Sequence, residues 1–162
     1  MIVLDTTILL YATGSDHPLR EPCRALVTAI IDGSIEASTT PEVIQELAHV
    51  RSRRLDRAAA VRVARDFSSL LGPLLLVDDS MLALGLRIYE ETPGLGSFDA
   101  VLCAVAIASS AEALVTADRV FAAVTGIRHL DPAAPDFLAS LHRLEAASPE
   151  RPVDGAAPRS DR

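Results

Sequence analysis

Lysine and tryptophan are absent from this chain, and aromatic residues make up only 4% of it. The lack of lysine excludes any mechanism that needs an amine nucleophile or a phosphate-loop lysine. All 15 basic residues are therefore arginine, and the formal charge is -7. Bulk positive charge cannot be how such a chain binds nucleic acid, although a local arginine stripe can still meet phosphates while an acidic pocket elsewhere holds cations. Cysteine is scarce too. Cys23 and Cys103 show no metal-ligand spacing and are expected as buried, reduced thiols. The longest uninterrupted apolar run, 100–108, falls short of the roughly 20 residues that cross a bilayer. Nothing resembling a signal peptide precedes the first apolar run, so a cytoplasmic protein with no membrane contact is expected.

What is present is aliphatic. With 162 residues and 49% hydrophobic content, the chain can bury one core, and the alanine, leucine, valine and isoleucine that carry this content favour helices packed on a small sheet. Strands are expected over 2–4, 35–38, 74–77, 113–116 and 127–130, each a short apolar run. Between them, helices are expected over 6–12, from Pro18 to before Gly33, and from Pro41 with Val43, Ile44, Leu47 and Val50 inward. Further helices are expected over 56–71 with Arg57, Arg62 and Arg65 outward, over 81–91, over 98–110 behind a Ser97 cap, over 119–124 and over 136–146. The alternation predicts an α/β fold, a mostly parallel sheet of about five strands with helices on both faces. One domain is expected over 1–146, and 147–162, rich in proline, glycine, arginine and aspartate, reads as a disordered tail.

The chain is organised around its first residues. Ile2, Val3 and Leu4 form a continuous run of the kind found in buried parallel strands, and the run ends in Asp5. Ligands of open parallel sheets bind beyond the carboxyl ends of the strands, which is where Asp5 falls. It could equally be the N-cap of the next helix. Glu46, three residues after Val43 and four before Val50, is predicted to project from an apolar helix face and so to need a cation or a buried arginine. Asp99 sits in the first turn of the 98–110 helix, where the helix dipole alone would favour an acid. Asp118 follows a strand end and could be another cap. Jointly, these carboxylates would raise one another's pKa, a conflict that a hard divalent cation on oxygen ligands resolves.

These residues carry a resemblance. Asp5 after its strand, Glu46 in Pro41-Glu42-Val43-Ile44-Gln45-Glu46-Leu47, Asp99 in Ser97-Phe98-Asp99-Ala100-Val101-Leu102-Cys103-Ala104 and Asp118 in Thr116-Ala117-Asp118-Arg119-Val120-Phe121 resemble the four acids of the PIN-domain nucleases. Order and spacing are most similar to the VapC toxins of bacterial toxin-antitoxin pairs. The resemblance implies a metal-dependent endoribonuclease using magnesium or manganese, an RNA substrate, a VapB-like antitoxin and a homodimer. It implies Asp5, Glu46, Asp99 and Asp118 as metal-binding and catalytic acids, with the hydroxyls of Thr7 and Thr116 in support.

Arg51, Arg53 and Arg54 follow Glu46 closely and could be either a solvated helix end or a track for the RNA backbone. Glu46-x-x-His49 has the spacing of a di-iron half-site, but such sites need the motif twice and the chain has one copy. His17, His49, His129 and His142 are left outside the site. Other readings are an RNA-processing nuclease without an antitoxin and a non-catalytic acidic pocket that binds a partner's arginine. An aspartate-nucleophile phosphatase fails on the missing lysine and on Thr7, which stands where a second aspartate is needed.

Overall fold

The computed structural model describes residues 1–54 and 56–147. The tail expected over 147–162 thus lies outside the described residues, apart from Ala147, the last residue of a helix. Among the described residues the strands are β1 (Ile2–Leu4), β2 (Ala37–Ser38), β3 (Ala113–Val115) and β4 (His129–Leu130), all parallel, in the order β2-β1-β3-β4. Consecutive parallel strands need crossovers, and helices supply them. These are α1 (Thr6–Thr13), α2 (Arg20–Ile31), α3 (Pro41–Ser52), α4 (Arg57–Leu70), α5 (Asp79–Glu91), α6 (Ser97–Ala108) and α7 (Phe137–Ala147), with a short 3-10 turn at Arg119–Ala123. The two central strands are buried at every residue, which is why their sequences are continuously apolar rather than alternating.

The third expected strand, 74–77, does not form. Leu75 N–H donates to the Thr39 carbonyl at 2.9 Å, the one backbone bond it makes toward the sheet edge, and Leu76 is exposed. The neighbouring β2 is only two residues long and offers too little ladder to pair with. The apolar run instead ends at Val77 on the wall of a cleft.

Local sequence sets the helix starts. Asp5, Asp56 and Asp78 accept from backbone N–H groups in the first turns of α1, α4 and α5, each worth about 1 kcal/mol. Ser97, expected to cap α6, is instead its first residue, and Gly96 is the cap. The helix is less buried than its composition predicts. Residues Ala100 and Leu102 to Ala106 are buried, but Phe98 is 78% exposed. Cys23 and Cys103 are free and buried, and burial pushes both thiols up to about 12, so they are packing residues. No helix among the described residues is long and apolar enough to cross a membrane.

Helices α5 and α6 pack closely at Gly85, where an added Cβ would lie 2.7 and 2.8 Å from Val101 Cγ2 and Cα. Gly85→Ala is therefore expected to destabilise the protein by about 1–3 kcal/mol through overpacking, despite alanine's better helix propensity. Urea unfolding measures it, and an unchanged or raised midpoint would contradict this packing.

Candidate functional site

The register that pairs Leu4 with Val115 sets the next residues, Asp5 and Thr116, side by side at the carboxyl ends of β1 and β3. Asp5 is 6% exposed, so its charge needs hydrogen-bond donors. Its Oδ1 accepts from Thr6 N–H at 2.7 Å, and its Oδ2 from the hydroxyls of Thr7 and Thr116 at 2.6 and 2.7 Å and from Thr7 N–H at 3.3 Å. The cap of α1 is therefore also a cleft residue. Thr7 and Thr116 hold Asp5 as expected, and Oδ1 keeps acceptor capacity for a further ligand.

Glu46 projects from α3 toward the start of α1, where Thr6 Oγ1 donates to its Oε2 at 2.8 Å. The expectation of a buried Glu46 is corrected. Val43 and Leu47 are buried, but Glu46 lies at the edge of their stripe where the surface opens into a cleft, and its side chain is exposed. Thr6 donates to it, and among the described residues no arginine lies within ion-pair distance.

Asp99 occupies the third position of α6, from which a carboxylate can reach back to the start of its own helix. Gly96 makes room for it, since a Cβ there would sit 2.6 Å from Asp99 Oδ2. Burial, then the charges of Asp5, Glu46 and Asp118, push its carboxyl up to about 6, against a smaller opposing contribution from the Gly96 backbone. Asp99 thus feels three carboxylates that come from two strand ends and another helix.

Asp5, Glu46 and Asp99 line one cleft of about 900 Å³. Glu42, Gln45 and His49 of α3 add polar lining, and Val77, Leu82, Leu86, Phe98 and Val101 add apolar lining. Asp118 is not among the lining residues. It is exposed, caps the 3-10 turn through Val120 N–H at 3.0 Å, and is tied to Asp5 through Thr116, whose hydroxyl accepts Asp118 N–H at 3.1 Å. Among the described residues, none of the four acids has a cationic side chain within ion-pair distance.

The donor set, oxygen throughout and short of positive charge, fits a hard divalent cation in chemistry. Its geometry is looser. Among the described residues no three acidic, histidine or cysteine side chains close around a single point, so the acids face the cleft without gripping an ion as they stand.

Comparison with known proteins decides the family. The PIN-domain model matches residues 2–127. This chain belongs to the PIN-domain family. It is 48% identical to "Ribonuclease VapC7" of Mycobacterium tuberculosis over 145 residues, 87% of this chain and 98% of that protein. It is also 31% identical to "Ribonuclease VapC23" of the same organism over 61% of this chain and 78% of that one. Among solved structures it resembles VapBC2 of Rickettsia felis bound to a DNA fragment from their promoter, with a TM-score of 0.63 and 19% identity over 81% of this chain and 98% of that one. PAE2754 of Pyrobaculum aerophilum aligns with a TM-score of 0.57 and 24% identity over 90% and 96%. The two structural likenesses carry the PIN fold.

Within this PIN domain, the expected arginine track divides. Arg51 is 8% exposed, its Nη2 donates to the Thr13 carbonyl at the end of α1, and burial followed by the charge of Arg54 pulls its pKa down. It ties α3 to the end of α1 and is largely withdrawn from solvent. Arg53 and Arg54 are exposed.

Two residues left outside the expected site stand beside its acids. Thr6 joins Asp5 to Glu46 through its backbone N–H and its hydroxyl. His49 lines the cleft. Its spacing from Glu46 was visible, but as a neighbour one helical turn on rather than as half of a di-iron motif.

Proposed function

We propose that this PIN-domain protein is an endoribonuclease, the toxin of a toxin-antitoxin pair, and that it hydrolyses an RNA phosphodiester in the cleft of Asp5, Glu46 and Asp99. What carries the reading is that these acids, far apart in sequence, share one cleft in a chain closely similar to a ribonuclease. Magnesium or manganese held by Asp5, Glu46, Asp99 and Asp118 would supply activation of the attacking water and stabilisation of charge at the phosphorus.

The protein's own part is to hold the acids in place. Thr6, Thr7 and Thr116 fix both oxygens of Asp5, and the Thr6 hydroxyl sets the rotamer of Glu46. A VapB-like antitoxin is the proposed partner. The exposed Phe98 and Leu86, in the same cleft as the acids, suit a partner that combines an apolar face with a basic side chain. A homodimer acting in the cytoplasm completes the proposal.

The test is cleavage of total cellular RNA by protein freed of any co-purified partner. Cleavage is expected with magnesium or manganese, and a chelator should lower it at least about 100-fold, with recovery on adding magnesium. Cleavage that survives chelation would remove the metal from the proposal. No cleavage under any divalent cation would remove the nuclease.

A further inference from the structure

Helix α3 carries two stripes. Val43, Leu47 and Arg51 recur every four residues and are buried. Glu42, Glu46, His49 and Arg53 recur at four, three and four, which places them along another line of the same helix. Glu42, Glu46 and His49 line the cleft, and Arg53 is the C-cap residue of α3. The line runs from acid, through an imidazole, to base.

The base is held in place. Arg53 Nη2 lies 2.9 Å from His49 Nε2. A guanidinium only donates, so Nε2 is the acceptor and the ring proton sits on Nδ1. That bond uses one of five guanidinium N–H groups, and among the described residues Arg53 has no carboxylate within ion-pair distance. The pair is an exposed contact one helical turn apart, worth a few tenths of a kcal/mol by itself. Here the ring that orients the arginine is itself a cleft residue, in a chain of net charge -7. From Glu46 to Arg53 the helix rises about 10 Å, enough to separate one strand phosphate from another.

We propose that Arg53, positioned by His49, is an anion subsite for an RNA phosphate flanking the one at the carboxylates. This rests on the ribonuclease reading and adds to it a direction: the strand runs along α3, from the acids toward the helix C-terminus. Arg53 binds, and His49 acts through it as a positioning residue.

Binding of a labelled random-sequence single-stranded RNA oligonucleotide, followed by anisotropy across a salt titration with magnesium present, tests the subsite. The Asp99→Asn background holds cleavage off. Arg53→Gln is expected to weaken binding about fivefold to tenfold at low salt and to make the slope of log K against log salt shallower by about 0.7, the value for one lost phosphate contact. Arg53→Lys should restore the slope. His49→Ala should weaken binding in the presence of Arg53 and add nothing in the Arg53→Gln background, a coupling that a merely structural histidine would not produce. An unchanged affinity and slope in Arg53→Gln, with the parent protein cleaving RNA, would overturn the subsite and leave the nuclease. A parent that neither binds nor cleaves RNA would remove both.

Discussion

Asp99→Asn is expected to abolish RNA cleavage and, in chelator, to make the protein more stable. The two effects have one cause. Burial and the charges of Asp5, Glu46 and Asp118 hold the Asp99 carboxyl at about 6, above its ordinary 3.8. The folded protein therefore binds a proton that the unfolded chain has already released, and stability falls as pH rises from about 4 to about 6 and stays lowered above that. Two pKa units would be worth up to about 3 kcal/mol. Asp99 is partly open to solvent, and screening reduces the expected gain of the neutral variant to about 1 kcal/mol at pH 7, vanishing near pH 4. Cleavage should fall at least about 1000-fold, since an amide cannot replace a carboxylate toward a hard cation. Thermal unfolding of both proteins at pH 4 and pH 7, beside a cleavage assay, checks this. A loss of stability at pH 7 would show that Asp99 is structural, held by its helix and not strained by its neighbours.

How much of this was legible depended on what each residue's neighbours are. The run Ile2-Val3-Leu4-Asp5 announced both a strand covered on each face and an acid at its end, because in a parallel sheet apolar continuity stops, and a charge becomes tolerable, where a covered strand reaches its open carboxyl end. Asp118 and Asp5 each raised a choice between cap and site; each caps a helical turn, and the charge of each acts on Asp99. The run 74–77 misled because apolar content does not by itself make a ladder: Leu74 and Leu75 pack against the core, Leu76 is exposed and Val77 lines the cleft. Glu46 misled for a related reason: periodicity gives the direction of a side chain but not whether that direction ends in core or in an open cleft. Arg51 could have been separated from Arg53 in advance. It stands four residues after Leu47, on the buried stripe, whereas Arg53 stands four after His49, on the cleft stripe.

Asp5 should behave in the opposite way to Asp99, because here the carboxylate is what the surrounding donors were built to meet. Asp5→Ala removes the acceptor for Thr6 N–H, Thr7 N–H and the Thr116 hydroxyl, the last in a side chain 0% exposed. A buried donor left without a partner costs about 1–3 kcal/mol, and loss of the α1 cap about 1 more. A total near 3–5 kcal/mol is a large part of the 5–15 kcal/mol typical of a domain. Asp5→Asn keeps the acceptor for Thr6 N–H but turns an amide toward the threonines. Their hydroxyls can rotate to accept from it, while Thr7 N–H cannot, so the expected cost is about 1–2 kcal/mol. Both variants should lose cleavage at least about 1000-fold. The stability order, wild type above Asp5→Asn above Asp5→Ala, read from urea midpoints in chelator, then separates the two jobs of this residue. Were Asp5→Ala to unfold within about 0.5 kcal/mol of wild type, the threonine donors would be finding other partners, and the claim that they preorganise the acid at the end of β1 would fail with it.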